Sequence, residues 1–200
     1  MRSITVFFAF IFLVTTSTAQ KGSLFIIGGG DRTKALMEAM MQTAQLKSTD
    51  HIAILPMSGA EPDTSFFYIK QDLETVCKNT VSFLNFTKDK VNDKVWLDSL
   101  KKAKLVFITG GDQSRFMKAV LNTPVFDAIH TAYNNGATIA GTSAGAAVMS
   151  KHMVTGNQLR GDTVYHATFD RLWKDNIEFE EGMGLLDSII IDQQDRKSVV

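Results

Sequence analysis

The chemistry of this sequence gathers at Gly141-Thr142-Ser143-Ala144-Gly145-Ala146. The segment follows an apolar run, Ala137-Thr138-Ile139-Ala140, and opens into Ala146-Ala147-Val148-Met149. That is the G-x-S-x-G pattern in the strand–turn–helix setting it requires. A nucleophilic serine has to sit on a tight turn so that its hydroxyl faces a substrate. The small flanking residues Gly141 and Gly145 permit that turn and let the following helix pack closely. The Ala144 amide, next to the serine at a helix start, can donate to a developing oxyanion. A glycine-rich turn with no catalytic role is the alternative reading of these residues alone.

A second chemical segment is Thr109-Gly110-Gly111-Asp112-Gln113, placed after the apolar run Leu105-Val106-Phe107-Ile108. Adjacent glycines at a strand end expose backbone amides, and either could complete an oxyanion hole, with Gly111 preferred. Gln113 carries two donors and an acceptor that could point into the same cleft. A third glycine turn, Gly28-Gly29-Gly30-Asp31, lacks the lysine of a P-loop and the full dinucleotide-binding spacing, and reads as a strand-end turn on the cleft rim.

Positioning these three turns requires strands that end side by side. Apolar runs fall at 23–27, 51–55, 105–108 and 137–140, and Val81-Ser82-Phe83-Leu84-Asn85-Phe86 alternates as a strand should. Helix-like stretches lie between them, including 65–78, 94–102 and 115–134. Short buried strands alternating with helices predict an α/β fold, a parallel sheet flanked by helices. Ligands in such sheets bind at the carboxyl ends of the strands. The chain has 200 residues, 44% hydrophobic, long enough for one buried core. Its 21 basic and 21 acidic residues balance, so no basic stripe points to nucleic acid. Cys77 is the single cysteine, which excludes an intrachain disulfide, and no Cys/His cluster has zinc spacing. Cys77 is read as a small core residue.

The N-terminus reads as a secretory signal. Arg2 precedes the apolar run Val6 to Val14, and Ser17-Thr18-Ala19 fits cleavage after Ala19. The apolar run is shorter than the ~20 residues of a membrane span. The expected organisation is therefore a signal at 1–19 and one domain at 20–194, in a secreted or periplasmic protein with no membrane association after cleavage. Asn85-Phe86-Thr87 is a glycosylation sequon that matters only in a eukaryotic secretory pathway.

Taken in order, Gly110-Gly111-Asp112-Gln113, the serine turn about thirty residues later, and Gly182-Met183-Gly184-Leu185-Leu186 running into Ile189-Ile190-Ile191-Asp192-Gln193 resemble cyanophycinase and its relatives in the serine peptidase family that includes aspartyl dipeptidase. The resemblance runs from about residue 23 to 193. It implies a glutamine-amidotransferase-like α/β fold, a flavodoxin-like three-layer sandwich, and cleavage of aspartyl-linked peptides without metal or organic cofactor. Cyanophycin, a polyaspartate carrying arginines and cut to β-aspartyl-arginine, and isoaspartyl dipeptides are the substrates it implies. Carried onto this chain, Ser143 is the nucleophile, Gly111 and Ala144 hold the oxyanion, and Gln113, Asp192 and Gln193 line the substrate cleft. A homodimer is one option for the assembly.

One position departs from the pattern. The family's catalytic histidine follows the Asp-Gln pair, and here that position is Gln194. An amide is not a base near neutral pH, so as written the chain would be inactive. Residues 195–200 match a common sequencing adapter read as GAT CGG AAG AGC GTC GTG. The expectation is that this hexapeptide is an artefact, that residue 194 is natively histidine, and that a C-terminal segment is missing. Such a piece would expose an apolar face. For the acid that orients the histidine, Asp162 is preferred, with Glu178 and Glu181 behind it. His152 and His166 are alternative bases, each read first as a surface or packing residue. A non-catalytic binding module and an esterase on a different α/β scaffold are the competing functions.

Overall fold

The computed structural model describes residues 21–160 and 174–192. Five parallel strands form the central sheet: β1 (Leu24–Ile27), β2 (His51–Leu55), β3 (Thr80–Phe83), β4 (Leu105–Ile108) and β5 (Thr138–Thr142). Their spatial order is β1-β5-β4-β2-β3. Helices α1 (Lys34–Ala44), α2 (Pro62–Glu74), α3 (Lys94–Lys102), α4 (Gln113–Val120) and α5 (Pro124–Asn134) link them, and α6 (Ala144–Ala147) follows β5 directly. A separate antiparallel ribbon pairs β6 (His152–Gln158) with β7 (Ile177–Glu181).

The sheet forms because its inner strands β2, β4 and β5 are buried on both faces. Alternation along each strand divides their side chains between two cores. Ala53, Leu55, Val106, Ile108 and Ile139 face a core completed by α3, α4 and α5. Ile52, Ile54, Leu105, Phe107 and Ala140 face the other, completed by Met37 and Met40 of α1 and Ile69 and Leu73 of α2. Helices therefore cover both faces, giving the three layers expected. Cys77 is half-buried against the second core.

Four elements differ in their bounds from the sequence reading. The strand read over 81–86 is Thr80–Phe83. The stretch 115–134, read as continuously helical, is two helices. Asn122 takes a left-handed φ of 59°, and the Thr123 hydroxyl accepts from the Val125 amide to cap a new helix with Pro124 in its first turn. The 65–78 helix begins earlier, with Pro62 in its first turn but no side-chain cap, and ends at Glu74. Strand β5 runs two residues beyond Ala140, because Gly141 pairs in register with Ile108 and Ile26, and Thr142 with Ile27.

Candidate active site

All five parallel strands end at one edge of the sheet, and the serine turn stands there between its two neighbours. Ser143 has φ 52° and ψ −116°, a conformation an L-residue adopts only when its surroundings enforce it, at a cost of about 1–3 kcal/mol. The enforcement is visible. The Ser143 amide donates to Ile27 O at the end of β1 (2.9 Å), and Ser143 O accepts from the Ala146 and Ala147 amides at 2.9 and 3.0 Å. The two flanking glycines are required by close approach. A Cβ on Gly145 would lie 2.2 Å from Ile108 O, and one on Gly141 would lie 2.2 Å from Gly145 O. The helix start is thereby pressed against the end of β4, and Ala144 is fully buried beside the serine.

The neighbouring turn after β4 is fixed as firmly. Gly111 has φ +138°, and a Cβ there would meet Ser58 O at 2.3 Å. Ser58 O accepts from the Asp112 amide (2.9 Å) and from Arg115 Nη1 (2.7 Å). Asp112 caps α4 by accepting from the Arg115 amide at 2.9 Å. A Cβ on Gly110 would stand 3.4 Å from the Ser143 Cβ, so the Gly110–Gly111 turn abuts the serine.

Gln113 is buried, and its Nε2 donates to Val154 O (2.9 Å) and Thr155 O (2.8 Å). Both amide donors expected to point at a substrate therefore anchor β6. The side chain still lines the cavity, but its donors serve the wall. Asp192 reaches the same cavity from the far end of the chain. The Ile191 amide donates to Ser150 Oγ (3.0 Å) just beyond α6, and the Leu186 amide donates to Met149 O.

Ser143 lies where two cavities meet. The larger, about 560 Å³, is lined by Gly111, Gln113 and Ser143 on the sheet side and by Val154, Thr155, Asn157, Glu178 and Glu180 of the ribbon. Its charged residues are Asp112, Glu178, Glu180 and Asp192 against Lys118, so it is acidic. Glu178 is held as a carboxylate below its ordinary range. The Thr155 hydroxyl (2.7 Å) is the main cause, followed by the Asn157 amide (2.9 Å), with the Lys118 charge contributing less. The other cavity, about 320 Å³, lies on the opposite side of Ser143, between the Gly28-Gly29-Gly30 turn and α2.

Of the residues singled out by sequence, Ser143, Gly111, Gln113 and Asp192 line one cavity, with Ala144 next to the serine. Glu178 joins them, whereas Glu181 lines a different cavity beside α5. His152 is exposed and lines neither cavity that contains Ser143. Asp162, His166, Gln193 and Gln194 lie outside the described residues. Sequence reasoning missed the part that Thr155 and Asn157 play in holding Glu178, because no local pattern announces it.

A strained serine at the carboxyl edge of a parallel three-layer α/β sheet, backed by a double-glycine turn, defines the class: a three-layer α/β protein with a serine on a sharp strand-to-helix turn. A sequence profile of Peptidase family S51 matches residues 24–196, and the chain belongs to that family. The chain is 30% identical over 183 residues to cyanophycinases of Trichormus variabilis and of a Nostoc species, covering 89% of this chain and 58% of each relative. The cyanophycinase of Geminocystis herdmanii is 30% identical over 181 residues. The chain thus spans about three fifths of the length of the curated relatives it matches. Among solved structures, a peptidase from an acI-B1 actinobacterium superposes with a TM-score of 0.62 at 21% identity, over 84% of this chain and 66% of that one. A putative peptidase E from Listeria monocytogenes gives 0.52 at 18% identity, over 66% of this chain and 64% of that one. At those identities the likeness bears on the fold.

Proposed function

We propose that this chain carries the nucleophile of a serine peptidase acting on aspartyl-linked peptides, with Ser143 as the attacking residue. The observation that carries it is the elbow, a strained serine at the junction of two cavities with the Gly110–Gly111 turn against it. Ser143 Oγ attacks the scissile carbonyl as a base takes its proton, and the amides of Gly111 and Ala144 stabilise the oxyanion. The base returns the proton to the leaving amine, and water then hydrolyses the acyl-enzyme. The base belongs to the position of Gln194, natively histidine in this reading, with Asp162 orienting it. The acidic cavity suits a substrate with a basic side chain, as the arginine-bearing polymer of the cyanophycinases would supply. Gln193 completes that cleft beside Asp192. The N-terminal segment makes the protein exported, secreted or periplasmic.

The test uses protein from the resequenced, full-length gene. A fluorophosphonate probe should label Ser143, and Ser143→Ala should abolish both labelling and hydrolysis of β-aspartyl-arginine. Turnover persisting in that variant would remove Ser143 from the mechanism. A second reading, a binding module that has lost its base, is favoured by Gln194 as written. It becomes the better account if the native codon encodes glutamine. Membership in a peptidase family weighs against the esterase alternative.

A further inference from the structure

The cavity across Ser143 from the acidic one has a different chemistry. The Gly28-Gly29-Gly30 turn presents backbone without side chains, and Ser65, Tyr68 and Ile69 of α2 form the facing wall. Arg32 is the one charged residue among its lining. Two features mark it as built rather than incidental.

The first is the posture of Arg32. Its Nε donates to Asp72 Oδ2 at 2.6 Å, with both side chains mostly covered, at 22% and 29% exposure. Asp72 sits one α2 turn beyond Tyr68 and Ile69, so the helix that makes the wall also braces the guanidinium. A guanidinium has five N–H donors in a planar fork, and Nε is one of them. The second is Thr109, at the end of β4. It is 2% exposed and lines this cavity, yet its hydroxyl has no hydrogen-bond partner among the described residues. A buried hydroxyl without a partner carries a desolvation cost that a ligand would relieve.

We propose that this second cavity binds a carboxylate on the substrate, through Arg32 and the Thr109 hydroxyl. Its place in the substrate path rests on the peptidase reading of Ser143. The two cavities then read opposite charges on the two sides of the scissile bond. The acidic one takes a cationic group and the Arg32 one an anionic group. A substrate is thereby selected and oriented end for end before it meets the nucleophile, because reversing it would place like charge against like charge on both sides.

The experiment is an amide-resolved NMR titration of the full-length protein with succinate, using uncharged succinamide as its isosteric control. Succinate should shift the amides of Gly28, Gly29, Gly30 and Thr109. Succinamide should bind about tenfold more weakly or worse, as expected for loss of a charge-assisted pair. Arg32→Gln should lose succinate binding to the same extent. Thr109→Val keeps the shape and removes only an unpartnered hydroxyl. It should fold at least as stably and bind succinate several-fold more weakly. Equal succinate affinity in wild type and both variants overturns the proposal, as does an absence of shifts or shifts confined to Val154, Thr155 and Glu178. The titration reads binding without turnover. Failure of Ser143 to label would therefore sink the peptidase reading while leaving the succinate result to stand or fall separately.

Discussion

The two walls of the larger cavity are made by different physics. The sheet side is held by apolar burial. β2 and β4 are almost entirely buried, and the elbow is locked by backbone approaching backbone with no room for a Cβ. The ribbon side, β6 and β7, is half exposed and irregular. Its register breaks between Val154 and Gln158, and Phe179 is 48% exposed. Met153 roots it in the first core, and beyond that residue it is tied to the rest by polar bonds, chiefly Gln113 to Val154 and Thr155. The contrast teaches that Ser143 is placed by volume and the ribbon wall largely by hydrogen bonds. The two should respond to different perturbations.

The largest expected effect is on the sheet side. Phe107 is fully buried in the second core, and Phe107→Ala should destabilise the fold by about 3–5 kcal/mol in urea unfolding. The whole structure should be lost in one transition. Gly145→Ala comes next. Its Cβ collides with Ile108 O, so the elbow must move, at a cost of roughly 1–3 kcal/mol. Fluorophosphonate labelling of Ser143 should fall far more than the stability loss explains.

On the ribbon side, Gln113→Ala leaves two β6 carbonyls without their donor, at about 1–3 kcal/mol. Hydrogen exchange should accelerate in β6 and β7 while β2 and β4 keep their protection. Equal acceleration in both regions would erase the distinction between the walls. The smallest effect is on acidification. Glu178 has a carboxyl pKa depressed in the folded state, so its contribution is complete above the ordinary glutamate range and fades as pH falls through the folded value. The ribbon amides should lose protection in that acid window, and Glu178→Gln should flatten the dependence.

The same division governs what could be read from sequence. The central strands were legible because short runs such as Leu105-Val106-Phe107-Ile108 are apolar at every position, as a strand buried on both faces needs, and the edge strand β3 because Val81-Ser82-Phe83 alternates. The elbow was legible because its glycines are local. The break between α4 and α5 was written in Thr123-Pro124, but the apolar periodicity runs across it and masks it. The ribbon left no readable trace. His152-Met153-Val154-Thr155-Gly156-Asn157-Gln158 alternates poorly, and its partner strand begins 19 residues after it ends. The donors of Gln113 were assigned to a substrate because their true acceptors lie 41 and 42 residues away.

One feature of the sheet reaches into how the protein is made. Ser143 is seated by the end of β1, the first of the described strands to be synthesised, yet β1 pairs with β5 alone among them. The partners Ile27 and Thr142 stand 115 positions apart in the chain. At about 5–20 residues per second, β1 waits roughly 6–23 s after its synthesis for its partner. Meanwhile β2, β3 and β4 can pair among themselves. The strand that seats Ser143 therefore joins the parallel sheet only once β5 is made, and Ile26, 45% exposed, stays accessible even then. The seating of Ser143 becomes a late event in folding, reached only after a large loop closes.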